Sequence, residues 1–267
     1  MLGAIIGDVA GSRFEWTNIK SKQFELFHEK CWPTDDSIMT LAVAKAILAS
    51  KGDLAKLEQE AVKSMQMLGR RYPDAGYGER FYEWLFLKVP KPYHSLGNGA
   101  AMRVSPCGFA AKTMEEAIAL AKTVTKVTHN HREGMKAAEA VTIAIFMARS
   151  GKRLAEIREH IENKYYRINF TLDQIRPTYE FDVTCQGSVP QAFEAFFEST
   201  GFEDAIRNAI SIGGDSDTIA AIAGGMAEAY YGIPPAIKEK VLVFLDDDLV
   251  KIVQEFERDY ELAAEKK

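Results

Sequence analysis

The chain has 267 residues, of which 47% are hydrophobic and 27% are charged, a balance that excludes a disordered, collagen-like or coiled-coil chain. Its 33 basic and 38 acidic residues give a net charge of −5, which argues against a nucleic-acid partner. The three widely spaced cysteines Cys31, Cys107 and Cys185 predict neither a disulfide framework nor a zinc site, and they favour a reducing compartment.

The amino-terminal segment MLGAIIGDVAGSRFE has no basic residue before its apolar run, and Asp8 interrupts that run. The segment therefore does not match a signal peptide. No stretch of the sequence reaches the roughly 18 apolar residues that a membrane span requires. We expect a cytoplasmic protein without membrane association, in which residues 1–267 form a single domain.

Helical periodicity dominates the chain from residue 35 onward. Apolar residues repeat with helical spacing over 35–50 and 53–71, and Thr113 followed by Glu116 is a capping box that starts a helix over 113–127. Further helices are predicted over 132–149, 153–163, 190–199, 215–231, 236–245 and 247–264. Strand signals are confined to the short segments 165–172 and 179–185. The pattern predicts an all-α fold with one core.

Two acidic motifs each stand directly before a predicted helix. They are Thr34-Asp35-Asp36-Ser37 and Asp215-Ser216-Asp217-Thr218. Each motif is compatible with a helix cap, because acidic side chains favour the positive end of the helix dipole. However, the helix after Asp215 is so apolar that its start should be buried, where unpaired carboxylates are costly. If the two helix starts meet, the four carboxylates would suit two Mg²⁺ or Mn²⁺ ions, and both interpretations stay open on the spacing alone.

Three other segments carry candidate polar groups. The segment Ser95-Leu96-Gly97-Asn98-Gly99 can present backbone amides to a phosphate or form a plain turn. The segment Thr128-His129-Asn130-His131 lacks a third zinc ligand nearby and is typical of one structural and one exposed histidine. The glycines of the segment from Gly7 to Glu15 indicate close helix packing, and Glu15 would by default be a surface acid.

In their order along the chain, these segments resemble the ADP-ribosylglycohydrolase family. The matching pieces are GDVAGSRFE, WPTDDS, SLGNGAAMRVSP, VTHNH and SIGGDSDT, which lie between residues 3 and 232. The resemblance implies a compact all-α helical bundle around a binuclear metal site. It also implies hydrolysis of the glycosidic bond between ADP-ribose and an acceptor, which would be an ADP-ribosylated protein, with arginine as the first guess, or a small-molecule conjugate.

The resemblance further implies roles for individual residues. The ligands of two Mg²⁺ or Mn²⁺ ions would be Thr34, Asp35, Asp36, Asp215, Asp217 and Thr218. Asp217 would bridge the ions, and either Glu15 or Asp35 would handle the proton. The substrate would contact Ser95, Gly97, Asn98, Gly99, Met102 and His129. Leu96 stands where the family often has an aromatic residue, so Tyr93 or His94 would substitute against the adenine, or the adenine would be held loosely.

Two other interpretations of the motifs remain. One is a binuclear metal phosphohydrolase that cleaves the diphosphate, and the other is a non-catalytic ADP-ribose-binding or structural protein. The presence of Glu15 together with the four carboxylates favours an enzyme. The aromatic, irregular segments 72–84 and 165–181 are the predicted rim that selects the acceptor, while the linkage itself and the oligomeric state are not predicted.

Overall fold

The computed structural model describes residues 1–261, and the regular elements within that range are helices. They are α1 Leu2–Ser12, α2 Asp35–Ser50, α3 Leu54–Arg71, α4 Glu79–Phe86, α5 Gly99–Met102, α6 Ser105–Ala110, α7 Met114–Thr125, α8 Arg132–Arg149, α9 Leu154–Lys164, α10 Leu172–Ile175, α11 Cys185–Phe197, α12 Phe202–Ser211, α13 Ser216–Tyr231, α14 Pro235–Leu242 and α15 Asp247–Phe256, with a π-helical turn over Glu257–Glu261. Within residues 1–261 the only β-type pairing is an isolated bridge between Gly97 and Thr184. The all-α prediction is confirmed.

Neither of the two weak strand signals corresponds to a strand. Residues 165–171 run irregularly until the Thr171 side chain caps α10, and residues 179–183 run irregularly until Thr184 caps α11. Tyrosine side chains explain the misleading pattern, because Tyr166 packs against Phe193 and Tyr179 donates a hydrogen bond from its hydroxyl to the Gly187 carbonyl at 2.7 Å. These contacts anchor extended segments to helices without a partner strand.

Helix boundaries differ from the prediction mainly near the carboxyl end. The helix predicted over 190–199 begins earlier, at Cys185, and Pro190 lies inside it. The helix predicted over 236–245 ends at Leu242. The helix predicted over 247–264 ends at Phe256, and residues 262–264 of that prediction lie outside the described range.

The closest helix contact is between α1 and α13. A Cβ atom placed on Gly7 would lie 2.0 Å from the Ala220 carbonyl oxygen, and one placed on Gly11 would lie 2.6 Å from the Asp217 Cα. The two backbones therefore touch along a face that only residues without a side chain can form. This confirms the predicted close packing, and it places Asp8 beside the start of α13.

Buried hydrophobic residues from α1 through α15 form one contiguous core. Helices α2, α8, α11 and α12 pack around the α1–α13 pair, whose residues are almost all buried. The three cysteines are free thiols inside this core. None of the helices between residues 1 and 261 combines the length and apolar character needed to cross a bilayer.

Candidate active site

The starts of α2 and α13 meet beside α1 and form a cluster of carboxylates. Oxygen atoms of Asp8, Asp36 and Asp217 lie within 4.8 Å of one another, and so do oxygen atoms of Glu15, Asp215 and Asp217. Asp217 belongs to both groups. The arrangement brings the two acidic motifs together, as the binuclear interpretation requires.

Asp8 is a member of this cluster that the sequence did not single out. Its carboxylate accepts hydrogen bonds from the backbone N–H groups of Thr34 at 2.9 Å and Ser37 at 3.0 Å. It also accepts from the hydroxyls of Thr34, at 2.6 Å, and Ser37. Burial raises the pKa of Asp8 to about 6, although these hydrogen bonds oppose the shift. Asp8 thus fixes the first turn of α2 against α1. In the sequence, the feature that could have identified Asp8 as a site residue is its position as an acid inside an apolar helix.

The start of α13 is shaped by two consecutive glycines. Gly213 and Gly214 both have φ of +73°, a left-handed conformation that glycine adopts at little cost. The turn presents Asp215, whose Oδ2 accepts a hydrogen bond from Asn98 Nδ2 at 2.6 Å. Thr218 Oγ1 in turn donates to Asp36 Oδ2 at 3.0 Å. These bonds join the two helix starts and the loop before α5 into one unit.

The electrostatics of the cluster favour a bound cation. Burial, reinforced by the neighbouring carboxylates, raises the pKa values of Asp36 and Asp217 well above their usual range. The same causes act on the half-buried Asp35. Asp36 Oδ1 is buried and has no hydrogen-bond partner within the described chain. The atoms that could ligate a metal are all carboxylate or hydroxyl oxygens, which are hard ligands. The residues therefore fit Mg²⁺ or Mn²⁺.

Glu15 lies in the loop after α1, half-buried at the edge of the cluster. Burial and then the charges of Asp215 and Asp8 raise the pKa of Glu15 to about 7. Asn18 holds this loop, since its Nδ2 donates to the Glu15 carbonyl and to the Gly214 carbonyl, both at 3.0 Å. Asn18 Oδ1 accepts from the Gly214 N–H at 2.8 Å. The loop that carries Glu15 is therefore tied to the turn that carries Asp215.

A cleft of about 510 Å³ opens above the carboxylates, within the range of roughly 300–1,000 Å³ common for small-molecule sites. The predicted substrate residues all line it, namely Ser95, Gly97, Asn98, Gly99, Met102 and His129. So do most predicted metal ligands, which are Asp35, Asp36, Asp215, Asp217 and Thr218. Thr34 is buried behind this wall, with its hydroxyl donated to Asp8.

The loop before α5 directs two of its backbone amides to partners within the protein, as the turn interpretation predicts. The Gly97 N–H donates to Ser95 Oγ at 3.1 Å, and the Asn98 N–H donates to the Val183 carbonyl at 2.8 Å. Two of the amides expected to face a phosphate are thus occupied within the protein. The missing side chain of Gly99 instead makes room for a ring, because a Cβ there would lie 3.3 Å from His129 Nε2.

Aromatic residues line the mouth of the cleft. Tyr93 faces it, whereas His94 packs edge-on against the His131 ring, with centroids 4.7 Å apart. Of the two candidates for adenine, Tyr93 is the one on the cleft wall. Trp16 and Phe181 stack at the mouth with centroids 5.0 Å apart.

The two predicted rim segments contribute unequally to the cleft. The segment 72–84 lines it with residues 76–81, and the segment 165–181 lines it only with its last residue, Phe181. The long irregular run after residue 165 therefore packs elsewhere.

The chain is similar in sequence to known proteins. The model of the ADP-ribosylglycohydrolase family matches residues 1–265. The chain is 25% identical to the ADP-ribosylhydrolase ARH3 of Homo sapiens, over 87% of this chain and 84% of that protein. It is 29% identical to the ADP-ribosylarginine hydrolase Tri1 of Pseudomonas putida, over 54% of this chain and 42% of that protein.

A solved structure described as an ADP-ribosylglycohydrolase-related protein complex has the same fold. Its TM-score is 0.69 at 22% identity, over 96% of this chain and 95% of that one. The family match thus covers the whole described fold, including both acidic helix starts. The chain belongs to the ADP-ribosylglycohydrolase family and is an ADP-ribosyl glycohydrolase, an enzyme that hydrolyses glycosidic bonds of ADP-ribose.

Proposed function

We propose that the enzyme uses two divalent cations to hydrolyse the bond between the anomeric carbon of ADP-ribose and an arginine side chain. The observation that carries this proposal is that two clusters of carboxylates, one of Asp8, Asp36 and Asp217 and one of Glu15, Asp215 and Asp217, share Asp217. Asp217 lines the floor of the cleft. A binuclear site of this kind suits a ligand rich in hydroxyl and phosphate oxygens, and it lets an acidic protein bind an anionic substrate.

The proposed metal ligands are the six residues of the two helix starts. They are Thr34, Asp35, Asp36, Asp215, Asp217 and Thr218. The unpartnered Oδ1 of buried Asp36 supports this assignment, because a buried acceptor without a partner is costly. When bound, Mg²⁺ or Mn²⁺ would polarise substrate oxygens and offset the charge of the carboxylates.

Glu15 is the proposed proton-handling group. Burial is the largest cause of its raised pKa and does not depend on the neighbouring charges that cations would offset, so it favours Glu15 as a group that exchanges a proton in general acid–base catalysis. Hydrolysis places the oxygen of water on the anomeric carbon and delivers a proton to the leaving nitrogen. Glu15 is favoured over Asp35 because it adjoins Trp16 at the mouth of the cleft, where an acceptor would leave.

An arginine acceptor is supported by the aromatic pair at the mouth. The Trp16 side chain is 76% exposed and that of Phe181 is 41% exposed, so the stacked pair leaves open ring surface beside Glu15. A guanidinium group stacks on tryptophan through cation–π attraction. Tri1, one of the relatives, is named for hydrolysis of ADP-ribosylarginine, which agrees with this choice of acceptor.

The decisive experiment compares substrates and metals. The protein would be incubated with peptides ADP-ribosylated on arginine or on serine, in chelator and after addition of Mg²⁺ or Mn²⁺. We expect intact ADP-ribose to be released fastest from the arginine peptide, and only with metal. Release of AMP would instead indicate cleavage of the diphosphate, and absence of any turnover would indicate a binding protein.

The first prediction concerns Asp217. Asp217→Asn keeps the side-chain shape but removes the charge of the one residue that belongs to both carboxylate clusters. Turnover should therefore fall by several orders of magnitude, and the number of bound ions should fall below two. Metal content would be measured by elemental analysis of the folded protein. The matched control is Asp173→Asn, because the Asp173 side chain is 87% exposed and pairs with Arg176, away from the cleft. If Asp217→Asn retains the parental turnover and metal content, the two acidic motifs act as helix caps and not as a metal site.

The second prediction concerns the acceptor. Trp16→Ala removes the exposed ring and should lower kcat/KM for the arginine peptide by about 3–30-fold, the loss expected for a partly desolvated cation–π contact of about 0.7–2 kcal/mol. ADP-ribose affinity should be retained, which calorimetry would test. An equal loss for arginine and serine peptides would show that the aromatic pair does not select the guanidinium group.

A further inference from the structure

Arg103 is a buried cation that has no carboxylate hydrogen-bond partner among residues 1–261. It follows α5 directly, is 1% exposed, and lies on the cleft wall. One of its terminal nitrogens contacts Thr128 Oγ1 at 2.6 Å and His129 Nδ1 at 3.2 Å. Its guanidinium group lies over the Phe81 ring, 5.5 Å from the centroid. Burial lowers the pKa of Arg103 to about 10, so the group is still cationic at neutral pH.

This contact determines which nitrogen of His129 carries the proton. A guanidinium group offers only donors, so His129 Nδ1 must be the acceptor. Thr128 Oγ1 accepts a hydrogen bond from Arg103. It lies 2.8 Å from His129 Nδ1, and the Thr128 hydroxyl can donate its proton to that nitrogen. With the Nδ1 lone pair engaged from two sides, the neutral ring must carry its proton on Nε2.

The Nε2 atom faces the glycine loop at the cleft. It lies 3.8 Å and 3.3 Å from the positions that Cβ atoms would occupy on Gly97 and Gly99. The protonated nitrogen is thus on the side of the ring where those residues leave space open. Ser95 and Met102 line the same part of the wall.

The groups around His129 oppose its protonation. Burial, followed by the positive charges of Arg103 and Arg80, holds its pKa well below the usual range. The Tyr93 ring packs against His129 with centroids 5.9 Å apart, and because burial raises the pKa of Tyr93 to about 12, this neighbour is neutral. The imidazole therefore remains uncharged throughout the physiological pH range.

We propose that Arg103 is a positioning residue that holds His129 in its neutral Nε2–H tautomer, so that His129 donates a pH-independent hydrogen bond from the cleft wall to an oxygen atom of ADP-ribose. The ligand half of this inference rests on the proposed function, since it takes ADP-ribose as the occupant of the cleft. The tautomer itself depends only on the contacts among Arg103, Thr128 and His129.

The first test observes the tautomer without any substrate. Protein labelled with ¹⁵N-histidine would be studied by NMR between pH 5 and 8, with His129→Gln used to assign the signals. We expect an unprotonated Nδ1 and a protonated Nε2 that do not titrate. In Arg103→Met the ring should exchange between tautomers or titrate, and Arg103→Lys should restore part of the parental spectrum. A protonated Nδ1 or a titrating His129 in the parent would overturn the inference, whether or not the protein is a hydrolase.

The second test measures ADP-ribose binding by calorimetry at pH 5.5 and pH 8. Arg103→Met should weaken binding by about tenfold, the scale of one hydrogen bond, and should make the affinity more dependent on pH than in the parent. Combining Arg103→Met with His129→Gln should remove that added dependence, because glutamine does not titrate. If Arg103→Met does not fold, Thr128→Val provides the second probe of the same contact. An added pH dependence that persists in the double variant would show that Arg103 does not act through His129.

Discussion

Glu15 is half-buried and lies at the cleft mouth, whereas Asp8, Asp36, Asp215 and Asp217 are buried. The third prediction is that Glu15→Gln lowers kcat for the arginine peptide by about 10²–10⁴-fold, because an amide cannot exchange the proton that general acid–base catalysis moves. ADP-ribose affinity should change by only a few-fold, since the side-chain shape is kept. Steady-state kinetics and calorimetry would separate the two effects.

The matched control is Glu25→Gln, which alters an exposed acid in the same loop and should leave kcat unchanged. If kcat survives in Glu15→Gln but falls in Asp35→Asn, Asp35 is the proton-handling group.

At the residue scale, the sequence could identify only those groups that stand in recognisable motifs. Asp36 and Asp217 occur beside other acids at helix starts, so their pattern alone indicates a site. Asp8 and Arg103 are different, because their partners Thr34 and His129 lie 26 residues away along the chain. The local sequence does not indicate that buried Asp8 accepts hydrogen bonds from two backbone amides. Nor does it indicate that the buried guanidinium group of Arg103 contacts His129.

The packing of α1 against α13 brings together the residues of the two carboxylate clusters. The fourth prediction is that Gly7→Ala lowers both stability and metal affinity, because the new Cβ would lie 2.0 Å from a backbone oxygen of α13 and must push the helices apart. Overpacking of this kind typically costs about 1–3 kcal/mol. Urea unfolding in chelator would measure the first effect and metal titration the second.

Gly201→Ala is the comparison for this variant, because its Cβ would meet nothing within 4 Å and its φ of 178° is extended. If both alanine variants lose the same stability, helix separation is not the cause. If Gly7→Ala unfolds more easily but binds metal with parental affinity, the α1–α13 contact supports the fold without aligning the site.

At the element scale, long periodic helices were predictable and short or glycine-rich ones were not. The helices predicted over 35–50, 132–149 and 215–231 match α2, α8 and α13, since each has a clear cap or apolar pattern. The bounds of α1 were not predicted, because Gly3, Gly7 and Gly11 lower helix propensity, and their packing against α13 compensates for this. Helix α5 has four residues, too few for any periodic pattern.

The charge of the whole cluster makes stability depend on pH and metal together. The pKa of Asp8 is about 6 in the folded protein, against an ordinary value of 3.8. The folded state therefore binds more protons than the unfolded state between about pH 4 and pH 6, and stability falls as pH rises through this window. For Asp8 alone the loss is roughly 3 kcal/mol, at 1.36 kcal/mol per pKa unit. The raised pKa values of Asp36 and Asp217 act in the same direction.

The fifth prediction is that the gain in Tm from Mg²⁺ or Mn²⁺ is small at pH 4.5 and large at pH 7.5. In the proposed site, cations would bind the ionised carboxylates of the folded protein and would stabilise it by mass action, by about 2.7 kcal/mol at a concentration 100 times Kd. Differential scanning fluorimetry with and without metal at each pH cancels the other titrating groups. A gain of equal size at both pH values would place the ions away from the buried carboxylates.

The contact between α1 and α13 also affects the order in which the molecule can be assembled. A hydrogen bond joins the Ser216 hydroxyl to the Gly11 carbonyl across 205 residues. During synthesis at ~5–20 residues per second, α1 waits roughly 10–40 s before its partner helix leaves the ribosome. For that time the surface of α1 that faces α13 has no native cover, although α2 already packs on another side of α1, and closure of so long a loop is an entropically slow step. Since Asp8 and Asp217 come together only in that step, a nascent chain that ends before α13 has neither of the two carboxylate clusters.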